Sequence, residues 1–149
     1  MLAAELAQYF RDHIPLSSAM GVSVLEVAED SVTLQAPLAP NINHRHTVFG
    51  GSASALAILA GWALLHVRLR AEGIADRLVI QRNVMEYEHP IPGAFTARAA
   101  LEHPDRWRSV ESHREFRAAF ALEYAELDAR CAHLTAQETA LGEFDEASP

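Results

Sequence analysis

Between Asn41 and Ser54 the chain gathers side chains and backbone features that could act on a carbonyl compound: Asn41, Asn43, His44, His46, Gly50-Gly51, Ser52 and Ser54. A glycine pair opening a helix leaves backbone N–H groups unpaired at the helix N-terminus. There they and the helix dipole favour negative charge developing on an oxygen. Gly50 and Gly51 have no side chain to hold a substrate away from that backbone, although two glycines would equally let a loop tuck beneath a sheet. The Asn43 amide can orient a water or a carbonyl oxygen, or close an Asx turn in a proline-rich loop. His44 and His46 have the side chain that ordinarily changes charge near neutral pH, which suits a general base, while loop histidines commonly just meet solvent. Ser54 and Ile58, four residues apart, share one helix face. Asn83, Glu86 and Glu88 follow on the next strand as further polar side chains, the two glutamates suiting a solvated edge.

Other chemistries lack their residues. No G-x-S-x-G elbow exists, so no Ser-His-Asp triad is legible. The segment from Ser52 to Ala71 contains no acid, so it offers no carboxylate for acid–base chemistry. Cys131 is the single cysteine, so there is no intrachain disulfide and no Cys/His metal spacing, and a reducing cytoplasm is the expected setting. The formal charge of −8 argues against nucleic acid. All twelve basic residues are arginine, a compositional bias rather than a mark of a site.

The elements that must position these residues centre on Thr47 to Leu65, TVFGGSASALAILAGWALL, apolar almost all round and therefore requiring cover on most sides. Its longest strictly apolar run, Ala55 to Leu65, is too short for a membrane span and is followed by His66, Arg68 and Arg70. It reads as a core helix ending near Ala71 to Gly73, and Leu56, Leu59 and Trp62 read as core. Leu2, Leu6, Tyr9 and Phe10 predict a first amphipathic helix over 2–12 rather than a leader segment. Val22, Val24, Val32, Leu34 and Ala36 predict a hairpin turning at Ala28-Glu29-Asp30, and Pro37 to His46 a long ordered loop. Further strands are expected over Leu78–His89, from Phe95 to Leu101, over Phe116–Leu127 and from Cys131 to about Ala140. Trp107 and Val110 suit a short excursion, and the acidic tail from Gly142 a frayed end. The whole is one α+β domain over 1–149, an antiparallel sheet curled around one long buried helix.

In that order the chain resembles hotdog-fold thioesterases, most closely the YiiD C-terminal thioesterase-like domain. The residues that carry the likeness are Ala39-Pro40-Asn41-Ile42-Asn43, Thr47-Val48-Phe49-Gly50-Gly51-Ser52, Ala60-Gly61-Trp62, and Tyr87 with Pro90. PaaI-like thioesterases carry an Asn, five residues, His-Gly-Gly, six residues and an Asp. Here Asn43, Gly50 and Gly51 match, while Phe49 stands at the His position and Ile58 at the Asp position. The resemblance implies hydrolysis of an acyl thioester of coenzyme A or acyl carrier protein in a pocket shared by the subunits of a homodimer or dimer of dimers. No cofactor, metal or membrane is implied; coenzyme A or phosphopantetheine enters only as part of the substrate. Catalysis would fall to Asn43, His46, Gly50, Gly51 and Ser54, and substrate contact to Asn41, Phe49, Ser52, Ile58 and Asn83. Because Ile58 replaces the acid, the competing expectation is a non-catalytic acyl-thioester binding module of the same fold.

Overall fold

The structure is a computed structural model that describes residues 1–73 and 78–101, and the backbone of 116–126 and 129–140. Its centre is α3 (Gly50–Ala71), twenty-two residues long, rich in alanine and leucine and free of proline. By length and composition α3 could cross a membrane, but the protein covers it instead. Ala53, Ala57, Ala60 and Ala63 recur along the helix and are buried in one core cluster with Ala97 and Ala99 of β4 (Phe95–Leu101). Small side chains on both partners let helix and sheet approach closely, and Leu56, Leu64 and Leu65 fill the space on either side.

The sheet is antiparallel, in the order β1-β2-β4-β5-β6-β3. β1 (Ser23–Val27) and β2 (Ser31–Ala36) form the expected hairpin. On β2 the period-two pattern puts Val32, Leu34 and Ala36 inside, opposite Ala99, Ala97 and Phe95 respectively. The hairpin turn is tied to the end of α3 by Arg68, whose guanidinium donates to the Glu29 carbonyl at 3.2 Å and lies 3.4 Å from the Glu29 and Asp30 carboxylates. β5 (Phe116–Glu126) and β6 (Ala129–Ala140) pair along most of their length and carry the sheet to β3 (Leu78–Met85).

Three expectations needed adjustment. α1 runs over Ala3–His13 as predicted within a residue, but it is followed by a second short helix, α2 (Pro15–Ala19). Ile14-Pro15 ends one helix and also starts another, because proline at the first helical position has no N–H to waste. β6 begins at Ala129 rather than Cys131. β3 stops at Met85, short of His89, and carries a bulge between Val79 and Arg82. The bulge resets the alternation, so Leu78 before it, Ile80 within it and Asn83 and Met85 after it are sheltered, while Val79, Arg82 and Val84 are exposed. The expected excursion around Trp107 and the tail from Gly142 lie outside the described residues.

Candidate active site at the N-terminus of the central helix

The loop from Pro37 to Phe49 is braced by its two asparagines. Asn41 is buried within a one-turn 3-10 helix, Ala39–Asn41; its Nδ2 donates to the carbonyls of Met20 at 2.9 Å and Pro37 at 2.7 Å, and its own carbonyl accepts from Phe49 N–H at 2.7 Å. Asn43 Oδ1 accepts from the N–H groups of Arg45 at 2.8 Å and Thr47 at 3.2 Å, and its Nδ2 donates to Thr47 Oγ1 at 2.9 Å and the Val48 carbonyl at 3.1 Å. An asparagine amide has two donor and two acceptor positions, so Asn43 is fully engaged and Asn41 has no donor left. The water-orienting role expected of Asn43 therefore meets a different geometry, in which the residue is the staple of its own loop.

That staple holds His46, exposed at the loop tip, where it is the non-glycine residue with positive φ, 59°, among the described residues. His46 N–H donates to the Asn43 carbonyl at 3.1 Å. His44 is also exposed. The loop delivers the chain to Phe49, the N-cap of α3, which offers no side-chain cap. The N–H groups of Gly50, Gly51 and Ser52 therefore form an uncapped helix start. Over Gly51 lies the ring of Phe49: an added Cβ there would overlap Phe49 Cε1 and come within 3.0 Å of its Cδ1. Gly50 is crossed by Tyr87, whose hydroxyl donates to the Gly50 carbonyl at 3.1 Å and whose ring would stand 3.2 Å from an added Cβ.

One turn further along α3, Ser54 and Asn83 are brought together: Asn83 Nδ2 donates to Ser54 Oγ at 3.1 Å. Asn83 Oδ1 is buried and has no hydrogen-bond partner among the described residues. The pair thus offers a hydroxyl proton and a free amide oxygen side by side. Because the amide donates to Oγ, it cannot take the serine's proton, so the pair is suited to hold a polar molecule rather than to make Ser54 a nucleophile. Ile58, a further turn along, is half-buried against an apolar cavity. Leu56 is core as expected, whereas Leu59 and Trp62 are half-buried on the same cavity. Glu86 and Glu88 lie beyond the end of β3 and are exposed. No cluster of metal-binding side chains occurs among the described residues.

Sequence reasoning named Ser54 and Asn83 separately but not as partners, since they are far apart in the chain. It also gave Tyr87 no function. Only the fold, by placing β3 beside the first turns of α3, reveals both contacts.

Residues 3–137 match the family described as "Putative thioesterase (yiiD_Cterm)". The chain belongs to this family, and its structure is a hotdog-fold thioesterase. A protein of unknown function from Chlorobaculum tepidum TLS superposes with a TM-score of 0.83 at 26% identity, covering 95% of this chain and 94% of that one. A thioesterase from Haemophilus influenzae gives 0.75 at 13% identity, with 99% and 96% covered. The PaaI protein of the E. coli phenylacetic acid degradation operon gives 0.71 at 14% identity, with 95% and 94% covered.

Proposed function

We propose that this thioesterase hydrolyses acyl thioesters of coenzyme A or acyl carrier protein at the N-terminus of α3, in a pocket completed by a second subunit. The observation that carries the reading is the Ser54–Asn83 pair lying one turn inside an uncapped, glycine-opened helix start. The thioester carbonyl oxygen lies against the first N–H groups of α3, which stabilise it as it becomes an oxyanion. A water accepts from the Ser54 hydroxyl and donates to Asn83 Oδ1. Its oxygen attacks the carbonyl carbon, the C–S bond breaks, and the water's proton passes through His46 to the departing thiolate. His46 is chosen because it stands exposed on the loop that leads into α3, in a backbone conformation held by Asn43. Phe49 and Tyr87, both more than half exposed, rim the mouth with apolar surface suited to a pantetheine arm or a partner subunit.

The second reading, an acyl-thioester binding module without turnover, draws on Ile58, whose side chain offers no proton acceptor to the helix face. Purified protein incubated with a panel of acyl-CoAs and a thiol-reactive chromophore separates the two. Thiol release with saturation kinetics is expected; saturable binding without release would establish the binding module.

A further inference from the structure

A cavity of about 400 Å³ opens between α2, α3 and β3, walled by Leu16 and Met20 from one side, Ile58, Leu59 and Trp62 from the central helix, and Ile80 from β3. Its size is that of a small-ligand pocket. Ser17, a polar residue in its lining, is already engaged, its hydroxyl donating to the Ile14 carbonyl at 2.7 Å. An apolar lining of this kind favours hydrocarbon over water.

Its position is as informative as its lining. Residues 51, 55 and 59 of α3 recur at four-residue spacing, as do 54, 58 and 62, so the cavity wall lies on the helix face that begins at Gly51 and Ser54. On β3 the bulge between Val79 and Arg82 lets Ile80 and Asn83 shelter on the same side, one against the cavity and the other against Ser54. A chain whose carbonyl lies at the start of α3 therefore runs down one continuous face into the cavity. Trp62 is the cavity-lining residue furthest along that helix face and is held in place: its indole stacks on His66 at 4.6 Å and on Tyr9 at 5.7 Å, with Phe10 at 6.4 Å.

We infer that this cavity is the acyl-chain subsite and that it takes an unbranched saturated chain of medium length, with Trp62 as the end wall that sets the limit. The inference rests on the reading of the α3 N-terminus as the reacting locus. At roughly 30 Å³ per water-sized group the space holds about a dozen methylene-sized groups. Affinity therefore rises by about fourfold per added methylene until the chain meets Trp62, and then stops rising.

Binding can be tested apart from hydrolysis. In a Trp107→Phe variant Trp62 is the sole indole, and decanoic acid brominated at its terminal carbon should quench its fluorescence saturably, whereas bromoacetate should not. Ala55→Phe, which fills the cavity from the helix side, should weaken that quenching at least tenfold and lower the decanoyl-CoA to butanoyl-CoA ratio of kcat/KM at least tenfold. Saturable quenching in a protein that releases no thiol from any acyl-CoA would support the subsite while refuting the hydrolase reading. Thiol release from butanoyl-CoA with no quenching by bromodecanoate would refute the subsite and leave the hydrolase reading standing. Quenching that appears only when the protein is diluted to monomers would show that a second copy of the chain fills the cavity, and would also overturn the inference.

Discussion

Asn83 on β3 donates to Ser54 on α3 at 3.1 Å, and its own amide oxygen is left buried without a partner among the described residues. A buried acceptor with nothing to accept from costs on the order of 1–3 kcal/mol. Asn83→Leu should therefore be close to neutral in stability, or stabilising by about 1 kcal/mol, while lowering kcat by about a hundredfold. Ser54→Ala should lower kcat similarly, and the double variant should be little worse than either single one, because the two residues hold one water. Chemical denaturation and steady-state kinetics on the four proteins check this, and additive losses would separate the two roles.

The helix start gives a second prediction. Gly51→Val puts a branched side chain where the Phe49 ring lies and where the thioester must approach the backbone. Phe49 is 57% exposed, so its ring can swing aside and the fold should survive. Turnover should fall by about a hundred- to a thousandfold, as for loss of an oxyanion donor. Adding Phe49→Ala should not restore it. Recovery in the double variant, measured on the same acyl-CoA, would trace the loss to the displaced ring instead.

Asn43 should act on stability. With all four positions of its amide engaged within the loop, Asn43→Ala should cost about 2 kcal/mol, read as a lower denaturation midpoint with unchanged slope. Asn43→Asp retains the two acceptor contacts and should fall between.

What was legible in the sequence follows from the range of each interaction. The Asx staple of Asn43 reaches only residues 45 to 48, and the turn alternative was visible in the chain. α3 was legible because no solvent face interrupts its apolar run, and β2 because Val32, Leu34 and Ala36 alternate without a break. β3 ends sooner than its sequence predicts because its bulge breaks the alternation and mimics a weaker, longer strand. α2, five residues long, is too short for periodicity to register. The Ser54–Asn83 contact and the cavity end wall at Trp62 depend on strand placement, which no local pattern encodes.

The exposed edge of β3 predicts assembly. Val79 and Val84 are 49% and 46% exposed on a strand whose outer edge pairs with no strand among the described residues. Such an edge invites a symmetric copy. Light scattering should give a dimer or a dimer of dimers at micromolar concentration. Val79→Lys with Val84→Lys should shift the protein towards monomer and reduce turnover with it. A wild-type monomer with full activity would remove the shared pocket.

The last prediction concerns the proton. Ile58 stands where PaaI-like relatives carry an acid, and it lies against the cavity with Leu59, Trp62 and Ile80, so that position supplies no base. If His46 accepts the proton, kcat/KM in the wild type should rise with pH as the general base is set free to act. His46→Ala should flatten that rise and cost about a hundred- to ten-thousandfold, the usual loss for one general base. Ile58→Asp puts a carboxylate among apolar side chains, where burial raises its proton affinity towards a value useful for a base. It should raise turnover of short acyl-CoAs in the His46→Ala background, while the buried charge weakens medium-chain binding. The decisive set is wild type, His46→Ala, Ile58→Asp and the double variant, each assayed on butanoyl- and decanoyl-CoA across the same pH range. Full activity with an unchanged pH profile in His46→Ala would exclude that residue and direct attention to Glu86 or Glu88 of a second subunit, both exposed just beyond β3.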